Sequence, residues 1–183
     1  MKVNVLNDLT VDQINQVTAS FFPHEITSKT DHPEFITVIG CIGSGKSTYI
    51  KEYYAETHVL LDASAIYLKL NQGSWNHFGK KYEMELDRIC CRVVSQSIEQ
   101  RKSLATEVLI DSSEIMELFE KIHQFFKRIS YKTIVIDCDC SLDTALARNK
   151  ERNLKKDNVS SYFTTSHHIN AILDVIEEQN KQG

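Results

Sequence analysis

The sequence has no apolar run approaching the ~18 residues that cross a bilayer. Its opening, MKVNVLNDLT, lacks the apolar core of a secretory signal. There is no basic excess: 21 Lys and Arg against 25 Asp and Glu give a net charge of −4. That argues against dependence on nonspecific DNA binding and leaves room for a local basic groove. Internal repeats and low-complexity tracts are absent. Cysteine is sparse and odd in number. The five, Cys41, Cys90, Cys91, Cys138 and Cys140, fall within apparent strands, a helix and a glycine loop. They read as reduced thiols of a cytoplasmic protein and not as a disulfide framework. No Cys or His set has zinc-ligand spacing, so Cys138 and Cys140 read as small buried hydrophobes, and His167 and His168 show no metal spacing with anything.

The chain of 183 residues has length for one domain with a substantial core and a short appendage. Residues 1–34 stand apart. LTVDQINQVTASFF reads as an amphipathic helix with Ile14, Val17 and Phe21 on one side and Thr10 as its cap. PHEITSKTDHP, which holds both prolines, reads as a linker. From Phe35 strands and helices alternate. FITVIG is a buried strand, and a helix runs from the glycines after it to about Glu56. HVLL is a second strand, ending at Asp62. After a polar interval, ELDRICCRVVSQSIEQRK is a helix with Leu86, Ile89, Cys90, Val93, Val94, Ser97 and Ile98 inward. EVLI is a third strand, ending at Asp111, and the helix after it is capped by Ser113 and closed by Lys127 and Arg128. TIVID is a fourth strand, Ser141 caps the helix LDTALARNKERN, and HHINAILDVIEEQN closes the chain. Short apolar runs alternating with helices imply a parallel sheet covered on both faces. Ligands then sit beyond the carboxyl ends of the strands, where Gly40, Asp62 and Asp111 fall.

GCIGSGKS, Gly40 to Ser47, fits G-x-x-x-x-G-K-[ST], with the strand before it and the helix after it that the motif requires. Without Cβ atoms at Gly43 and Gly45 the backbone can curl round a phosphate and aim successive N–H groups at its oxygens. The helix N-terminus adds roughly half a positive charge there. Lys46 can reach the β- and γ-phosphates, Ser47 offers a hydroxyl to Mg²⁺, and Thr48 backs the loop or assists at the α-phosphate. Gly40, Cys41, Ile42, Gly43, Ser44, Gly45, Lys46, Ser47 and Thr48 are thus expected to bind the phosphates of ATP.

Three segments together resemble one branch of the P-loop kinases, the branch of 5′-hydroxyl polynucleotide kinases and zeta-toxin kinases. They are TVIGCIGSGKST, EVLIDSS with its long helix, and IDCDCSLDTALARNKERN. The resemblance runs from Phe35 to the final helix. It implies a three-layer α/β P-loop fold, with a parallel sheet of four to five strands ordered 2-3-1-4 or with one more strand, and helices on both faces. It divides the chain into an appendage, 1–34, and a kinase domain, 35–183, with a lid near 148–165. It implies transfer of the γ-phosphate of ATP to a hydroxyl with Mg²⁺. In such kinases an R-N-x-x-R-like segment begins the lid, and Arg148 and Arg152 match it. By spacing alone, Arg148, Arg152 and Lys155 share one helix side beside an apolar stripe of Leu142, Ala145 and Leu146. That is either a solvated basic face or a source of cations for the charge spread over a transferring phosphoryl group.

The sequence departs from the branch at one point. The resemblance implies a carboxylate just after the second strand to take the acceptor's proton, but Ser64 stands there, and Tyr67 replaces a basic residue expected about three positions on. A serine is no general base near neutral pH without a base of its own. Asp62 is the candidate substitute, with capping of the next turn as its other role. Asp111 suits a water-mediated contact to Mg²⁺ or a hydrogen bond to Ser47, and Asp137 reads as structural. For the acceptor, Trp75, His77, Lys80 and Lys81, followed by Arg88 and Arg92, either hold a base and its phosphates or pack a loop and solvate a helix. Three functions fit: a kinase of a polynucleotide 5′ end, nucleotide or nucleotide-linked small molecule; an ATP-binding module that has lost transfer; and a toxin phosphorylating a nucleotide sugar, with the N-terminal helix docking a protein partner.

Overall fold

The computed structural model describes residues 9–22, 30–74, 82–154 and 161–182. In chain order they form α1 (Val11–Ala19), β1 (Glu34–Ile39), α2 (Lys46–Tyr54), β2 (Val59–Leu61), α3 (Ala63–Leu70), α4 (Glu83–Glu99), β3 (Leu104–Val108), α5 (Ser113–Arg128), β4 (Lys132–Asp137), α6 (Leu142–Leu154) and α7 (Ser161–Gln182). The strands make one parallel sheet in the order β2-β3-β1-β4, the order implied by the resemblance, with four strands among the described residues.

Alternation along each strand sorts the side chains. On one face Phe35, Leu61, Leu104 and Val108 join a core supplied by α1, α3, α4, α5 and α7. On the other, Ile36, Val38 and Ala105 meet Ile50 of α2. Each large apolar side chain fully buried in this way contributes about 1.5–3 kcal/mol. Phe126 of α5 stacks on Phe35 with ring centroids 3.9 Å apart, fixing α5 over β1. α1 belongs to the thicker layer: Thr10 caps it in a reciprocal box with Gln13, Ile14 is buried, and Val17 and Phe21 pack against the same core.

Several boundaries differ from the sequence expectation. The polar interval after β2 opens with α3, because Ala63, Ile66, Tyr67 and Leu70 form a buried stripe at helical spacing behind an Asp62 cap. The third strand ends at Val108, not at Asp111, because its last rung with β1 is Ile39 opposite Val108, where β1 turns into the glycine loop. Ser112, not Ser113, caps α5, accepting from the Ile115 N–H at 3.3 Å. The apolar stripe expected of α6 reduces to Ala145: Leu142 and Leu146 are 73% and 56% exposed. Cys138 and Cys140 are only half-buried, and all five cysteines are free. Among the described residues no helix is long and apolar enough to cross a membrane.

Candidate active site

β1 ends at Ile39 and the chain turns through the glycines into α2. Gly40, Gly43 and Gly45 take φ angles of 143°, 83° and 105°, a region that L side chains rarely enter. A Cβ on Gly40 would lie 2.4 Å from the Cys138 carbonyl oxygen, and one on Gly43 would lie 2.8 Å from that of Ala145. Two of the three glycines thus let the end of β4 and α6 close onto the loop. α1, α3 and α5 are each capped by a side chain; α2, like α4, is not, so no side chain competes for the N-terminal turn that the glycine loop opens. The buried Ser44 hydroxyl has no partner among the described residues. Lys46 is folded back and buried, its Nζ donating to the carbonyls of Gly40 and Cys41, both at 2.9 Å. Uncapped amides, an orphaned hydroxyl and a stored ammonium fit a polyphosphate.

The Ser47 hydroxyl donates to Glu107 Oε2 at 2.7 Å. Alternation explains the pairing. Leu104 and Val108 of β3 point to the thick layer, as Thr106 between them does, so Ala105 and Glu107 point to the α2 face. The bond expected between Asp111 and Ser47 is therefore made by Glu107, while Asp111 is exposed beyond the strand. A signal for Glu107 existed in LATEV, a lone carboxylate in an otherwise apolar and hydroxylic strand. Two adjacent hard oxygen donors suit Mg²⁺.

Arg148 reaches from α6 to the loop, its Nη1 donating to the carbonyls of Gly43 at 3.0 Å and Ser44 at 3.2 Å. Arg152 lies in the last turn of α6, and its side chain falls outside the described residues. A cavity of about 740 Å³ opens beside the loop, lined among others by Thr48, Tyr49, Glu52, Asp137 and Arg148. Asp137, read as structural, thus faces this cavity. Burial pushes the Cys138 thiol up despite the charge of Lys46, keeping it protonated.

Asp62 caps α3, Oδ1 accepting from the Ala65 N–H at 3.0 Å, and its Oδ2 lies 3.6 Å from Lys51 Nζ of α2. Ser64 sits half-buried in the first turn of α3. Trp75, His77, Lys80 and Lys81 lie outside the described residues. Arg88 and Arg92 line a separate groove with Asp87, Asp174 and Glu177, and Arg92 bonds Asn15 of α1, so neither arginine joins the loop.

Sheet order, glycine loop and the Ser47–Glu107 pair define a P-loop nucleotide-binding domain. Residues 35–179 match the model of an AAA domain family, and the chain belongs to that family. No protein with a curated description matches it. It is similar to a solved structure of the PezAT chromosomal toxin–antitoxin system of Streptococcus pneumoniae, with 17% identity, a TM-score of 0.54, 90% of this chain covered and 71% of that one. It is also similar to a chain of the Pnkp1/Rnl/Hen1 RNA repair complex, with 18% identity, a TM-score of 0.50, 82% of this chain covered and 48% of that one. The shared feature is the fold, which agrees with the kinase branch that the sequence resembles.

Proposed function

We propose that the protein is a Mg²⁺- and ATP-dependent kinase that transfers the γ-phosphate to a hydroxyl of a nucleic acid, nucleotide or nucleotide-linked small molecule. The observation that carries this reading is the Ser47–Glu107 pair at 2.7 Å, directly behind an uncapped glycine loop. The amides of the loop and of the first turn of α2 hold the phosphates, and Lys46 exchanges two carbonyls for phosphate oxygens. Ser47 and Glu107 hold Mg²⁺, with Asp111 as an outer partner. When bound, Mg²⁺ supplies neutralisation of the charge between the phosphates. The nucleoside occupies the cavity beside Tyr49 and Arg148. Arg148 and Arg152 supply cations to the transferring group, and Asp62 accepts the acceptor's proton through Oδ2 once Lys51 turns outward. Because phosphoryl transfer is mostly positioning and neutralisation, a displaced base suffices. Five free thiols support a cytoplasmic location.

Incubation with γ-labelled ATP, Mg²⁺ and a panel of 5′-hydroxyl oligonucleotides, nucleosides and nucleotide sugars tests the proposal. Lys46-dependent label on one acceptor class supports it, and no transfer to any of them refutes it. A second reading, an ATP-binding module without transfer, is favoured by Ser64 and by the engagement of Asp62 as a cap. ATP binding without turnover, unimproved by Ser64→Asp, is its signature. A toxin acting on a nucleotide sugar would arrest growth on expression, with relief by Lys46→Ala. In that case a protein partner would meet an α1 whose Ile14 is already committed to the core.

A further inference from the structure

His168 of α7 is fully buried, and nothing in the proposed chemistry uses it. Its ring sits where the sheet comes apart. β2 and β3 pair up to Leu61 and Thr106; beyond that rung β2 turns into α3, while β3 continues beside β1. The imidazole fills the opening. Its Nε2 accepts from the Ala63 N–H at 2.8 Å, and its Nδ1 lies 3.1 Å from the Glu107 carbonyl oxygen. Thr106 Oγ1, 3.2 Å from Nδ1, donates its own hydrogen to the Leu61 carbonyl at 3.3 Å. These partners fix the tautomer: an amide can only donate and a carbonyl can only accept, so the hydrogen is on Nδ1.

Both partners adjoin the site. Ala63 directly follows Asp62, and the carbonyl held by Nδ1 belongs to the residue whose carboxylate holds Ser47. We propose that His168 is a positioning residue: a neutral Nδ1–H imidazole that replaces the next rung between β2 and β3 and sets the separation of Asp62 and Glu107. The inference rests on the kinase reading, which gives those carboxylates the acceptor proton and Mg²⁺. A shorter asparagine keeps a donor for Glu107 but does not span to Ala63. Glutamine reaches Ala63 and leaves the Glu107 carbonyl without its donor. An aliphatic side chain strands both buried groups. His123 provides an internal control. It is also buried, and its ring bonds Thr37 at 3.0 Å in mid-sheet, with no such contact to the backbone beside either acid.

The test combines spectroscopy and calorimetry on the full chain. Long-range ¹⁵N–¹H spectra of the wild type are expected to show His168 neutral with its proton on Nδ1, and a proton on Nε2 overturns the proposal. ATP affinity is then measured in EDTA and in Mg²⁺ for the wild type, His168→Gln, His168→Asn and His123→Gln. In EDTA the His168 variants should stay near wild type, because the loop is intact. The gain in affinity from Mg²⁺ should fall ~10-fold or more, and slow Mg-ATP turnover ~10²-fold, as for lost outer partners of metal ligands. His123→Gln should melt earlier and keep the full gain. His168 variants that behave like His123→Gln overturn the proposal and leave the kinase reading standing. A wild type that binds no ATP overturns both. Should neither His168 variant fold, Thr106→Val carries the test: a reduced Mg²⁺ gain supports the proposal and an unchanged one overturns it.

Discussion

The two rims of the site are built differently. The phosphate rim, Gly40 to Lys46, is one continuous stretch whose ligands are main-chain amides and the Lys46 ammonium. The acid rim is assembled from four places: Ser47 on α2, Glu107 on β3, Asp62 at the head of α3, and His168 on α7. The first needs only a local turn and a helix start. The second exists only when β2, β3 and α7 are docked, so its geometry is as good as the packing behind it.

Substitutions separate the two rims, and the largest effect is expected at the first. Lys46→Ala removes the ammonium that meets the γ-phosphate and should lower phosphotransfer ~10³-fold or more, read with labelled ATP. At the acid rim, Glu107→Gln should keep the hydrogen bond from Ser47 but cut the Mg²⁺-dependent gain in ATP affinity ~10- to 100-fold, while Asp111→Asn changes it less than about threefold. Calorimetry across a Mg²⁺ series checks the pair. If Asp111→Asn had the larger effect, the acid rim as built here would be wrong.

Next comes the packing of α5 beneath β1, away from both rims. Burial, aided by Lys127, lowers the His123 imidazole to about 4. Above pH ~6.5 the folded and unfolded forms are both neutral there. As pH falls through that value the unfolded chain takes up a proton that the folded one refuses, so stability declines until about 4, below which this contribution is flat. The loss is on the order of 3 kcal/mol. Urea titrations of wild type and His123→Gln should differ in slope within that window, and equal slopes would show that the ring is not held neutral. Smallest of the four, Gly43→Ala should cost about 2 kcal/mol, since a Cβ meets the Ala145 carbonyl in a left-handed backbone. A thermal melt tests it, and the loss should be accompanied by weaker ATP binding as α6 lifts from the loop.

How much could be read in advance follows the same division. The sheet order followed from the family resemblance, and Thr10, Asp62 and the stripes of α1 and α4 could be read locally because capping and periodicity involve residues three or four apart. Asp111 was expected beside Ser47 because EVLI reads as a strand running to it. Where a strand stops depends on its neighbour, and β1 leaves the sheet at Ile39. The basic stretch of α4 was a candidate acceptor site, yet Arg92 turns to Asn15 of α1 in another groove. His168 bore no mark in the sequence, since its partners are backbone groups 61 and 105 residues away.

The sequence by itself determined the phosphate loop, because its donors belong to consecutive peptide units and glycine alone permits their curl. Only the tertiary structure decided which carboxylate meets the Ser47 hydroxyl, and that an imidazole holds two strand ends apart. Both depend on the last rung of strand pairing and on the face to which each side chain then points.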